Sequence, residues 1–136
     1  ADLTDQAVPV LKSIHEELAS PIYQSFNISI EGHTDDDPIN SLKFPSNWEL
    51  SSGRASTVVR FMITEGMRNT RLKATGFADT RPKFPNRDAQ GAPLIDNMIA
   101  NRRVVLRINR KPIYQVVKIP KFRRKKGDDK KTKSIK

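Results

Sequence analysis

The chain has 136 residues, enough for one compact domain, and 36% of them are hydrophobic and 29% charged. It has no cysteine, which excludes disulfide scaffolds and cysteine-based zinc sites, and no run of eighteen apolar residues, which a membrane-spanning helix would need. The net charge of +10 is concentrated in a tail: residues 1–110 hold fourteen Lys/Arg and thirteen Asp/Glu, whereas residues 111–136 hold eleven Lys/Arg and two Asp.

Residues 4–20 predict an amphipathic helix, capped by Thr4, with Val8, Leu11, Ile14 or His15, and Leu18 at helical spacing. Ser20-Pro21 ends it, because the residue before proline is pushed out of the helical region. Phe26, Ile28 and Ile30 alternate with Asn27, Ser29 and Glu31, the pattern of a half-buried strand. That strand runs into Gly32-His33-Thr34-Asp35-Asp36-Asp37, so the acidic phrase emerges at its carboxyl end. Residues 36–46 read as a loop with two prolines.

Ser46-Asn47-Trp48-Glu49 has the form of a capping box, and a helix is expected from there to about Glu65. Ala55, Val58, Val59, Met62 and Ile63 make its apolar face, and Gly66 suits the residue past its end. Arg54 falls at the edge of that face. Leu72, Ala74 and Gly76 predict a second strand, with Arg71, Lys73 and Thr75 outward. Residues 79–93 read as loop, Pro93 to Asn101 as a short helix, and Val104, Leu106 and Ile108 as a third strand. Tyr114 to Ile119 either extends that strand or forms a small extra one. Helices alternating with strands favour a sheet with helices packed on it.

Read from residue chemistry alone, Asp35 at a strand end and Arg54 on the neighbouring helix can hold an ammonium and a carboxylate of one ligand. The guanidinium grips a carboxylate with two parallel bonds, which lysine cannot reproduce. A purely structural alternative makes Asp35 a turn cap and Arg54 its partner. His33 with Asp35, Asp36 and Asp37 contains metal-ligand types, which raises a metal-dependent hydrolase. No His-Glu-x-x-His, no nucleophile set and no glycine-rich phosphate loop supports an enzyme, and no cofactor or metal is expected. A nucleic-acid module would have to rest on the basic tail, whose composition is that of a solvated segment. No nucleic-acid partner is therefore expected.

Four ordered blocks carry a resemblance: Gly32-His33-Thr34-Asp35, then Asn47/Leu50/Ser51/Arg54/Ala55, then Gly76-Phe77, then Asn101-Arg102-Arg103-Val104. Over about residues 3–110 the chain resembles the OmpA-like peptidoglycan-binding domain. Asp36-Asp37-Pro38-Ile39 and Ser46 to Ser51 look like the stator B subunits of flagellar motors (the MotB/PomB type). The resemblance implies an α/β two-layer sandwich, a mixed sheet with helices packed on one face, forming a non-catalytic domain at 1–110; the basic tail at 111–136 lies outside the family pattern, and its composition is that of a flexible segment. It implies a site that grips the zwitterionic peptide stem of peptidoglycan, of the diaminopimelate type, between Asp35 and Arg54, with Thr34, Asn47, Leu50 and Arg103 contributing. Of Arg102 and Arg103, one is expected to bridge acidic side chains beneath the site. The resemblance further implies a homodimer, a stator A subunit as partner through a membrane segment outside this sequence, and a periplasmic location in an inner-membrane-anchored protein. An outer-membrane or lipoprotein-type anchor unrelated to motility is the alternative. The family's usual opening strand before the first helix is expected to be missing or truncated, since the chain starts at Ala1-Asp2-Leu3-Thr4.

Overall fold

The computed structural model describes residues 3–110. The basic tail and the expected strand at 114–119 lie outside the described residues. Strand β1 (Phe26–His33) forms the middle of a three-stranded sheet. Strand β2 (Leu72–Gly76) pairs with it in parallel, and β3 (Arg103–Arg110) pairs antiparallel on its other side. Helices α1 (Ala7–Leu18), α2 (Asn47–Thr64) and α3 (Ile95–Asn101) complete the domain, with 3-10 turns at Pro21–Tyr23 and Asn69–Arg71. This is the mixed two-layer α/β arrangement that the family resemblance implies.

Strand register builds the apolar layer. Ile28 stands between Leu72 and Ile108, and Ile30 between Ala74 and Leu106. Ile28 and Ile30 are buried against Leu11 and Leu18 of α1, Ala55, Val58 and Met62 of α2, and Met67. Burying each large aliphatic side chain contributes about 1.5–3 kcal/mol, so both helices are held on one sheet face.

The expectation of a half-buried β1 requires correction. Ser29, Glu31 and His33, on the opposite face, are buried as well. A central strand is flanked on both sides, and here long polar side chains of β3 close over it. Arg107 Nε donates to Glu31 Oε1 at 2.9 Å, and Asn109 Nδ2 to Ser29 Oγ at 3.2 Å.

Boundaries shift for local reasons. Helix α1 starts at Ala7 rather than Thr4, because Thr4 closes a turn ahead of it: both its carbonyl and its Oγ1 accept from the Ala7 N–H. Ser20 is extended before Pro21, as expected. Ser46 caps α2, accepting from Trp48 N–H at 3.2 Å and donating its hydroxyl to Glu49. That bond holds the exposed Glu49 carboxyl below its ordinary pKa. Gly66 follows the helix with φ +108°.

Ile63, read as part of the apolar face, is exposed, since it lies one residue beyond Met62 and so turns off the buried stripe. Ala74, read as inward, is exposed on the outer strand β2. Arg71, read as outward, is buried. The 3-10 turn at Asn69–Arg71 interrupts the strand alternation just before β2 begins. It directs the guanidinium onto three carbonyls: Leu18 at 3.2 Å, Tyr23 at 2.6 Å and Phe26 at 3.1 Å. Burial lowers the Arg71 pKa from its ordinary value.

Two glycines bring α2 onto the carboxyl ends of the parallel strands. A Cβ at Gly32 would lie 2.0 Å from the Ser51 carbonyl oxygen, and one at Gly76 would lie 2.1 Å from Ser52 Oγ. Only a residue without a side chain allows that approach. The first turns of α2, which carry Arg54, are thereby seated beside the loop that leaves β1.

Candidate functional site

Backbone bonds lock the floor of the site. Thr34 N–H donates to Ala78 O at 2.9 Å, and Ala78 N–H donates to Ser51 Oγ at 3.0 Å. Ala78 is buried with φ 52°, a conformation that costs a non-glycine residue about 1–2 kcal/mol. Bonds on both sides hold it there. Thr34 is 3% exposed, and its hydroxyl donates to Asp35 O at 2.8 Å. Its side chain therefore shapes the loop from inside.

The acidic phrase is engaged by arginines. Asp35 is buried; its Oδ1 accepts from Asp37 N–H at 3.0 Å and its Oδ2 from Arg102 Nε. Arg87, from the loop before α3, donates to Asp36 at 2.8 Å and Asp37 at 3.0 Å. Its pKa is raised, chiefly by the bond to Asp36. The Asn47 amide, at the start of α2, donates to the carbonyls of Asp37 at 2.9 Å and Asp35 at 3.4 Å. Among the described residues no group of three His, Asp or Glu side chains is placed to hold a metal ion.

His33 lies behind this loop, stacked on Phe77 with ring centroids 5.2 Å apart. Arg81 lies over the same Phe77 ring at 4.1 Å. Neither His33 ring nitrogen has a hydrogen-bond partner, although Glu31 Oε1 stands 3.7 Å from Nε2. Burial, then the Arg103 charge, pushes the His33 pKa below 6.5.

Arg54, Arg102 and Arg103 line a cleft of about 560 Å³ between α1, α2 and β3. Its other walls are mainly apolar, including Val10, Leu11, Ile14, Val104 and Leu106, with Thr4 and Thr57 among them. Arg54 is half-buried, and among the described residues no hydrogen bond or ion pair engages its guanidinium. Arg103 donates to the carbonyls of Asn101 at 3.2 Å and Arg81 at 3.1 Å. Asp35, Thr34, Asn47 and Leu50 are not among the lining residues. The buried Asp35 reaches the cleft through Arg102, which bonds it and lines the cleft. Of the two arginines after Asn101, Arg102 is thus the one that bridges an acid at the site.

Two organising residues escaped the sequence reading. Ser51, fully buried, donates to Trp48 O at 3.1 Å while accepting from Ala78. Asn101, also fully buried, accepts from Lys83 and Phe84 N–H and donates to Phe84 O and Asn86 Oδ1. Both belong to the blocks quoted above, and that membership was the only signal they gave.

The model of the OmpA family matches residues 1–95. Among curated relatives, "Uncharacterized protein YtxE" of Bacillus subtilis is 39% identical over 85 residues, covering 62% of this chain and 33% of the relative. "Motility protein B" of the same organism is 34% identical over 92 residues, covering 67% and 34%. The chain thus spans about a third of the length of the curated relatives it matches. Among solved structures, a putative MotB like protein from Desulfovibrio vulgaris superposes with TM-score 0.69 at 32% identity, covering 81% of this chain and 66% of that one. The cell wall anchor of the T6SS from Pseudomonas aeruginosa does so with TM-score 0.67 at 30% identity, covering 82% and 71%.

Proposed function

We propose that this chain, which belongs to the OmpA family, is a non-catalytic periplasmic anchor that holds peptidoglycan and fixes a flagellar stator complex to the cell wall. The observation that carries this reading is the cleft at which Arg54, unpaired among the described residues, stands beside the Arg102–Asp35 pair. A stem peptide ending in an ammonium and a carboxylate on one carbon matches one buried acid and one free guanidinium. Two parallel N–H bonds from Arg54 suit the carboxylate, and the apolar walls suit the stem's methylene groups. Asn47 supports the reading by bracing the Asp35 loop against α2. The likeness to Motility protein B and to a MotB like structure favours the stator assignment. In that role the domain would work as a homodimer, with a stator A subunit reached through a membrane segment outside this chain.

The likeness to a cell wall anchor of another apparatus supports a second reading, wall anchoring without motility. Co-sedimentation with purified peptidoglycan sacculi tests the shared claim. The wild-type domain is expected to pellet with sacculi, and Arg54→Ala to lose about 2–5 kcal/mol of binding, as truncation of one partner of a charge pair does. Equal pelleting of both proteins would refute the site; failure of the wild type to pellet would refute the function. Restoration of swimming, by a chimera carrying this domain in a stator B subunit, separates the two readings.

A further inference from the structure

We infer that Arg102 is the protein's own cation in the seat of the ligand's ammonium, and that binding proceeds by exchange of the one for the other on Asp35. This rests on the reading of the cleft as a wall-peptide site. Asp35 is buried, with a side chain 7% exposed, whereas the Arg102 side chain is 46% exposed. A carboxylate that deep needs a cation at all times, because leaving it unpaired is costly. Exchange of cations avoids any unpaired intermediate.

The tether on Arg102 is slight. Its Nε bond to Asp35 is the side chain's one hydrogen bond among the described residues. Arg71, by contrast, is held by three carbonyls, and Arg103 by two. Arg102 is thus the arginine of this region that lines the cleft, touches the buried acid and is free to swing into solvent. The second Asp35 oxygen is occupied by Asp37 N–H from the same loop, which fixes the carboxylate while its other oxygen changes partner.

The consequence is selectivity. A ligand with carboxylates but no ammonium engages Arg54 and leaves the Arg102–Asp35 pair intact. A ligand with an ammonium beside its carboxylate releases Arg102. Arg102 is therefore a positioning residue that screens for the amine.

The experiment is a proton–nitrogen correlation spectrum of the arginine Nε–H groups, titrated with meso-diaminopimelate and, separately, with pimelate, the same seven-carbon diacid without amines. Sacculus co-sedimentation runs alongside. Diaminopimelate is expected to move the Arg102 Nε–H signal away from its carboxylate-bonded position, while pimelate moves only that of Arg54. Arg102→Gln is expected to bind diaminopimelate several-fold more tightly, having no competing cation, even as its melting temperature falls. Diaminopimelate perturbing Arg54 with Arg102 unmoved would overturn the exchange and leave the wall-binding reading standing. So would sacculus binding with no response to diaminopimelate, or a loss of diaminopimelate binding in Arg102→Gln as large as in Arg54→Ala. If neither diaminopimelate nor sacculi bind the wild type, the wall-binding reading fails and the exchange fails with it.

Discussion

Gly32 and Gly76 stand directly opposite each other across the parallel pair of β1 and β2, and both face the same stretch of α2: a Cβ on Gly32 would meet Ser51, and one on Gly76 would meet Ser52 and Ser51. The pair forms a notch at the carboxyl end of the sheet. It decides how close Arg54 comes to the Asp35 loop.

Filling the notch should displace the helix. Gly32→Ala places a methyl against backbone, where no side chain can move aside. Overpacking of this kind typically costs about 1–3 kcal/mol, and a backbone clash belongs at the upper end. A urea midpoint measured by circular dichroism checks the loss. An unchanged midpoint would show that α2 does not need the close approach.

Arg54 should separate binding from stability. Its guanidinium has no partner among the described residues, so Arg54→Lys should alter folding stability by no more than about 0.5 kcal/mol. The same change should weaken sacculus binding, since lysine lacks the planar fork. A thermal melt paired with co-sedimentation decides. A large drop in stability would mean that the guanidinium is structural.

Arg71 makes the opposite case. Arg71→Met should leave the carbonyls of Leu18, Tyr23 and Phe26 without their donor. Each buried unsatisfied group costs about 1–3 kcal/mol, and relaxation and water will recover part of the sum. A net loss of about 3 kcal/mol is expected in chemical denaturation, with sacculus binding retained wherever the domain remains folded.

His33 should make stability depend on pH. Its folded pKa lies below the ordinary 6.5, so as pH falls from 6.5 the unfolded chain takes up a proton before the folded one does. Stability is therefore fully present above 6.5 and declines below it, until the folded pKa is passed. Melting temperatures at pH 7.5 and 5.5 test this. His33→Phe, which loses no hydrogen bond and keeps a ring on Phe77, should flatten the slope. A slope equal to that of the wild type would assign it to other groups.

Much of the fold was legible from periodicity and punctuation. The alternation of Ile28 and Ile30, the Ser46 cap, Gly66 after α2 and the Val104–Leu106–Ile108 pattern each encode a local preference, and local preferences are written in adjacent residues. The same holds for the chemistry of the site, since a carboxylate cluster after a strand and an arginine in a helix are visible as residue types at spacings. Arg71 was misread because its partners are carbonyls 45 to 53 residues earlier in the chain. Side-chain alternation carries no information about such distances.

Pairing was likewise beyond the sequence. Three arginines line the cleft, at positions 54, 102 and 103, and composition treats them alike as partners for Asp35. Only the packing of β3 against β1 sets Arg102 on the acid and leaves Arg54 without a partner among the described residues, because an ion pair is chosen by angstroms of backbone placement. The amino-acid order determined the elements, their faces and the charges available to the site; the tertiary structure alone decided which charge neutralises which, and hence which is left for a ligand.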